Sequence, residues 1–403
     1  MSFQNLDRSR LLIGTYCLQP YARTEAHVQA LADAGINYLC ATPADRDLLN
    51  LCEKYGIGVF ASGVLPGWWG GDGDNAGKLS AAAPVALYEE AARHFVDHPA
   101  LWGLDMGDEP SALDFPHYGR LFEAMKRLFP RHFPYLNLYP NYASVPENTA
   151  AECRSQLGVP TYQAYIDEYA RCVPSDYICY DYYMYATTVA GAYENLRVVA
   201  NKCRETGRDL WIVLQVNSNR PEEWITLPQL RHQAYTALAF GARSINWACW
   251  TAGWWHNEVL DGEGRQTQQY AKMCFINREL HAMGDRSMRY RNASTHFVGS
   301  IPAENLAGVN QAAEAQIDAG SFADVRMESG FGAIIGHMTD EGAARDALMV
   351  ADVSMRGDAG FLSFRRQGPR PTALMNGLPV PVLRVGEDAY RVRLEPCAGL
   401  LIE

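Results

Sequence analysis

The chain has 403 residues, 48% of them hydrophobic and 20% charged, and its Lys+Arg 35 against Asp+Glu 46 leave a formal net charge of −11. That composition excludes global disorder, and the length exceeds one ordinary domain. A net acidic surface repels phosphate backbones and anionic lipids, and the short basic spots Lys126-Arg127 and Arg365-Arg366 read as solvated faces, so neither nucleic acid nor membrane is an expected partner.

Met1 to Arg10 shows no basic start followed by a long apolar core, so no signal peptide is expected, and no apolar run is long enough for a bilayer. The first candidate strand, Leu11–Leu18, contains Tyr16 near its end, and a helix over Glu25–Ala34 closes on Gly35. The second strand is Ile36–Thr42. Gly56 leads into the third, Ile57–Leu65, after which the loop offers Trp68-Trp69. The fourth, Leu101–Gly107, runs on through Asp108-Glu109-Pro110. The fifth, Tyr135–Tyr139, continues into Pro140-Asn141-Tyr142, and the sixth, Tyr177–Tyr183, contains Asp181. Gly207 precedes the seventh, Leu210–Val216, which closes with Gln215-Val216-Asn217. A helix over Leu227–Phe240 and Gly241 lead into the eighth, Ser244–Trp250, followed by Trp254-Trp255 and a last helix near Thr267–Met283.

These strands are continuously apolar rather than alternating, which requires burial on both faces and therefore a parallel sheet covered by helices. Eight such units, with no GxGxxG after the first strand, favour a closed (β/α)8 barrel over a dinucleotide-binding open sheet. The barrel is expected over residues 1–290. From about Arg291 the helical period fades into short β-rich runs, Phe331–His337, Ala347–Val353, Ala389–Leu394 and Gly399–Ile402. They are separated by turns at Arg356-Gly357-Asp358 and Asn376-Gly377, which reads as a small antiparallel β-sandwich over 291–403 with a bracing role.

In such a barrel the chemistry sits where the strands end. The rim contributes Tyr16, Trp68, Asn137, Tyr139, Tyr183, Gln215, Trp250 and Trp255, a set of aromatic faces and amide or hydroxyl groups suited to sugar rings. Strand alternation puts Asp105, Gly107 and Glu109 on one side and Asp108 on the other, with Pro110 stopping the strand. A carboxyl held beside a second acid resists ionisation and can serve as a general acid, which singles out Glu109. Asp108-Glu109-Pro110-Ser111 is also a good helix entry, so Asp108 is read both as a cap and as a site acid.

Trp102-Gly103 followed by Asp108-Glu109-Pro110, with Asn137 to Ala143, Tyr180 to Tyr183 and Gln233 to Gly241, resembles the clan A glycoside hydrolases, the β-galactosidase-like barrels among them. The resemblance spans the barrel and the β-rich C-terminal region, and implies glycosidic bond hydrolysis with Glu109 as acid. Two positions depart from that family. Its Asn before the acid is Asp108, and its nucleophilic Glu at the end of strand seven is replaced by Gln215. Hydrolysis with retention or inversion needs a second carboxylate, and Asp181 is the nearest by strand position. The Asp108-Glu109 pair also resembles hexosaminidases that use the substrate's acetamido group as nucleophile. There Asp108 would orient that group and Tyr183 would assist.

The rivals are few. The ten histidines contain no HxH pair and only His256 falls near the rim, so no metal and no other cofactor is expected. Gly253 alone makes a poor phosphate loop. Without a strand-seven Glu, a barrel that binds a glycan without cleaving it is the non-enzymatic alternative. The ten cysteines are scattered and form no CxxC pair, and Cys40, Cys179 and Cys249 read as small buried hydrophobes. That pattern favours a reducing, cytoplasmic compartment. A homo-oligomer is compatible with the sequence.

Overall fold

The computed structural model describes residues 6–403 except Ala44, Trp254, Glu341, Ala343 and Ala344. Eight parallel strands form one sheet: β1 Leu12–Tyr16, β2 Tyr38–Pro43, β3 Gly58–Ser62, β4 Leu101–Asp108, β5 Phe133–Asn137, β6 Tyr177–Tyr182, β7 Asp209–Gln215 and β8 Ala242–Ala248. Their order, β5-β4-β3-β2-β1-β8-β7-β6, brings β5 and β6 to the two margins. The margins meet through the bond from Leu138 N to Cys179 O, 2.9 Å, and a parallel bridge of Leu138 to Tyr180, which closes the barrel.

The helices are α1 Glu25–Asp33, α2 Arg46–Tyr55, α3 Leu79–Ala82, α4 Val85–His94, α5 Phe115–Leu128, α6 Tyr162–Cys172, α7 Val189–Thr206, α8 Leu227–Ala239 and α9 Gln268–Ser287. Their ends are set locally. Asp45 caps α2 by accepting from the amides of Asp47 and Leu48, and Thr226 with Gln229 forms a capping box at α8. Gly56 and Gly207 take the left-handed conformation that ends α2 and α7.

The two faces of the strands bury different cores. Leu210, Ile212 and Leu214 point outward into the helix layer, while Trp211 and Val213 point inward with Tyr38, Cys40, Phe60, Phe133, Tyr135, Tyr177 and Cys179. The interior is filled by stacked rings, Tyr38 on Phe60 at 4.6 Å and Phe133 on Trp211 at 4.8 Å between centroids. This packed plug leaves no room for a ligand inside the barrel, so the chemistry sits at the mouth above it.

The C-terminal part is a two-sheet sandwich. One sheet has the order Leu378–Val380, Ala373–Met375, Gly399–Ile402, Arg345–Asp352, Gly332–Asp340, Arg291–Gly299. The other has the order Ile317–Ala319, Phe322–Met327, Gly360–Arg366, Ala389–Leu394, Leu383–Arg384. In Arg345–Asp352, Leu348 and Val350 face the sandwich core, whereas Ala347, Met349 and Ala351 pack into the barrel's helix layer. The six-stranded sheet is thus buried on both faces, which is why its central strand reads as continuously apolar.

Candidate active site

The end of β4 does not follow simple alternation. Gly103 faces the interior, where an added Cβ would lie 2.7 Å from the Phe60 ring, and Asp105 follows it two residues on. Register then shifts between Asp105 and Asp108. Gly107 has φ +131, and a Cβ on it would meet the Tyr118 hydroxyl at 2.5 Å and the Trp68 carbonyl at 2.9 Å. This bulge spends one extra residue and turns Asp108 into the barrel. The expectation that Asp108 points away from Asp105 is corrected by that bulge.

The loop after β3 prolongs the sheet beside it. Asp108 N donates to Trp68 O at 2.9 Å and Gly70 N to Asp108 O at 3.0 Å, so the loop runs parallel to the strand end. Gly70 comes so close to Glu109 that a Cβ would lie 1.7 Å from its carbonyl oxygen. Glu109 itself holds φ +47, a conformation unusual for a side-chain-bearing residue, fixed by the bond from its own N to Asn137 O at 2.9 Å.

Asn137, at the end of β5, is the hub. Its Nδ2 donates to Asp108 Oδ1 at 3.0 Å and to Asp181 Oδ1 at 2.8 Å, so one amide group holds two acids from β4 and β6. The Tyr142 hydroxyl, from the loop after β5, lies near Asp181 and favours its ionised form. Glu109 stands above this pair with the Trp69 indole Nε1 donating to its Oε2 at 3.2 Å. All three carboxyls are pushed above the ordinary carboxylate range. For Glu109 burial comes first, then the charges of Asp181 and Asp108, with the Trp69 bond opposing. For Asp181 burial comes first, then Asp108, opposed by Asn137 and Tyr142, and for Asp108 burial outweighs its bonds to Asn137 and the Glu109 amide. Glu109 is raised furthest, so it is the member that keeps a proton while its neighbours ionise.

The remaining rim residues divide. Tyr183, from the end of β6, meets Trp255 edge-on at 4.3 Å between ring centroids, and the pair walls the mouth near Asp181 and Glu109. Tyr16 lies one layer beneath, its hydroxyl 2.9 Å from that of Tyr135. Tyr139 is buried and its hydroxyl donates to Gly71 O, pinning the β3 loop rather than facing the mouth. The Gln215 side chain is wholly buried: Oε1 accepts from Tyr185 N and Ala186 N, and Nε2 donates to Asn217 O. It therefore fastens the loop after β6. Trp68 packs against the helix-layer core, and Trp250 is buried against Tyr270, so the structure does not bring either indole to the mouth. Trp254 lies outside the described residues. The mouth indole of the Trp68-Trp69 pair is Trp69, 55% exposed, and Tyr142 joins it; neither was singled out by strand position, because both lie in loops where alternation carries no information.

Among the described residues no group of three or more His, Cys, Asp or Glu side chains could hold a metal ion, and no helix is long and apolar enough to cross a membrane.

No protein-family model matches the chain, and no curated protein matches it. Solved structures do. An endo-β-1,4-mannanase from Thermotoga petrophila aligns over 98% of this chain and 93% of its own, with a TM-score of 0.51 and 9% identity. A putative α-L-fucosidase from Bacteroides thetaiotaomicron aligns over 70% of this chain and 97% of its own, at TM-score 0.47 and 12% identity. A family 39 glycoside hydrolase from Bacteroides cellulosilyticus aligns over 98% and 82%, at TM-score 0.43 and 11% identity. The likeness to the mannanase is one of fold, and it extends over the barrel and the sandwich together.

Proposed function

We propose that the chain is a glycoside hydrolase in which Glu109 protonates the glycosidic oxygen and Asp181 is the second carboxylate. The observation that carries this reading is the carboxyl cluster at the mouth. Burial and the charges of Asp181 and Asp108 hold Glu109 protonated, and those two aspartates share one Asn137 amide. A general acid needs a proton near neutral pH, and the nucleophile or base needs to lose one, so two acids in unequal surroundings divide the roles. The mannanase shows that this fold supports such chemistry. Trp69, Tyr142, Tyr183 and Trp255 supply the aromatic walls that a pyranose ring requires.

Gln215 is committed to a loop, so β7 offers no attacking carboxylate. Asp181 is preferred to Asp108 for that part because it comes from β6, two strands away from Glu109, while Asp108 is the chain neighbour of Glu109 with its backbone bonded to the β3 loop.

The test is a panel of chromogenic glycosides, 2-acetamido sugars included, against the parent, Asp181→Asn and Asp108→Asn. Turnover of ordinary glycosides that Asp181→Asn abolishes, with azide restoring it as a glycosyl azide, is the expected result. Cleavage confined to 2-acetamido glycosides, dead in Asp108→Asn and intact in Asp181→Asn, would replace Asp181 by the substrate's own acetamido group. Sugar binding with no turnover of any glycoside would make the barrel a carbohydrate-binding module.

A further inference from the structure

The floor of the barrel, at the opposite end from the mouth, carries the reverse charge. The turns leading into β7 and β8 and the first strand of the sandwich enclose a cleft of about 470 Å3. Four guanidiniums line it, those of Arg204, Arg208, Arg243 and Arg291, together with Asn292 and Thr339, and among the described residues no carboxylate does.

The ion pairs around the cleft do not balance. Asp209 serves three cations: Arg8 at Oδ2, Arg291 at Oδ1, and Arg243, whose Nε stands 3.5 Å from Oδ1. Asp176 adds one looser contact to Arg8 at 3.6 Å. Among the described residues Arg204 donates to neutral amide oxygens alone, those of Asn292 and Asn201. Arg208 donates only to the carbonyls of Ala170 and Val173, at 2.8 and 3.0 Å. Helix C-termini add about half a negative charge each, and those of α6 and α7 draw these arginines in. Among the described residues that leaves five guanidiniums facing two carboxylates and two partial charges.

Two of the donors also make no hydrogen bond, although one of them stands in the looser ion pair with Asp209. The Nε of Arg243, a residue 8% exposed, and the buried Nη1 of Arg208 have no hydrogen-bond partner among the described residues. A buried donor without a partner costs about 1–3 kcal/mol, more when it is charged. Burial, with Arg291 and Arg8 adding to it against Asp209, pushes the Arg243 guanidinium down to about 10. An acceptor with several oxygens and more than one negative charge would relieve both conditions, since guanidinium forks pair with tetrahedral oxyanions in parallel hydrogen bonds.

We propose that this floor cleft binds a small dianionic oxyanion, free phosphate or the phosphoryl group of a metabolite, through Arg204, Arg208, Arg243 and Arg291. The site is independent of the mouth: Arg204 and Arg208 precede β7 and Arg243 stands at the start of β8, whereas Asp108 and Asp181 stand at the C-terminal ends of β4 and β6.

Calorimetric titration of the full chain with inorganic phosphate and with glycerol 3-phosphate, at ionic strength fixed with chloride, tests this. Saturable binding near one equivalent is expected, weakened at least about tenfold in the Arg204→Gln, Arg208→Gln double variant. Neither arginine neutralises a buried acid, so the double variant should keep the parent's circular dichroism, and Arg291→Gln serves as a second variant if it does not. Binding of both titrants points to the phosphate group alone, and binding of the ester alone points to a metabolite. Absence of saturable binding by either at millimolar concentration, or binding unchanged in both variants, overturns the proposal.

Discussion

The Glu109 carboxyl meets one donor, the Trp69 indole, and two acids that resist its ionisation. The acid role proposed for it therefore depends on Asp108 and Asp181 as much as on itself, and a pH profile reads that dependence. If Asp181 must be ionised and Glu109 protonated, kcat/KM rises as the Asp108/Asp181 pair loses its proton, at raised values of about 6 and about 7, and falls as Glu109 loses its own near about 10. Asn137→Ala removes the amide that favours both ionised aspartates. The rising limb should then move upward by about one unit while the falling limb stays. A limb that does not move would detach Asn137 from the acids. Asp105 gives a separate check on stability. Burial first, with Asp108 adding to it against the Gly107 amide, pushes Asp105 up from 3.8 to about 7. A raised carboxyl contributes stability that is complete below its unfolded value and lost as pH climbs through the folded one. Asp105→Asn should therefore raise Tm at pH 8 and change it little at pH 4, with an upper bound of about 4 kcal/mol. Equal shifts at both pH values would contradict the burial.

Within β4 the decisive feature is one extra residue. Gly107 places the chain at φ +131 against Tyr118 and Trp68, and the bulge there turns Asp108 inward toward Asn137. Gly107→Ala should cost about 1–3 kcal/mol in chemical denaturation and lower turnover beyond what the lost stability explains. Unchanged kinetics would separate the bulge from the site. The same feature marks where sequence reading stops. The eight strands were legible because runs such as Leu210–Leu214 are apolar on both faces, a pattern only a covered parallel sheet satisfies. Asn137 and Asp181 were legible as strand ends. The orientation of Asp108 was not, since a bulge shifts parity without a hydrophobic signature. Nor was the choice between Trp68 and Trp69, or the burial of Trp250, because loop side chains follow the packing partners that the fold supplies. Gln215 occupies the expected strand end, yet its amide is spent on the Tyr185-Ala186 backbone, a long-range contact no local pattern announces.

Across the molecule the barrel and the sandwich share a buried layer. Phe297, Ile334, Met338, Ala347, Met349, Ala351 and Leu401 of the sandwich belong to the same apolar cluster as Tyr193, Tyr235 and Phe240 of α7 and the α8 end. Gly399 lies so close to Tyr235 that a Cβ would fall 2.1 Å from its ring, so the sheet seats directly on α8. Residues 291–403 therefore act as a wall of the barrel. A chain ending at Tyr290 should aggregate or bind a hydrophobic dye, as size-exclusion chromatography and dye fluorescence would report. A monodisperse, cooperatively folding barrel would show that the sandwich is dispensable. Acids gather at the mouth and arginines at the floor of an overall acidic chain, so the two ends of the barrel differ in charge.

The role proposed for Glu109 is delivery of a proton to a departing sugar oxygen. Glu109→Gln is the variant to measure, on the best glycoside of the panel carried on two leaving groups, 2,4-dinitrophenol and a simple alcohol. Hydrolysis of the alkyl glycoside should fall about 10²–10⁴-fold, and that of the dinitrophenyl glycoside, which leaves without protonation, should fall far less. Equal losses on both, or near-parent activity on the alkyl glycoside, would contradict the assignment.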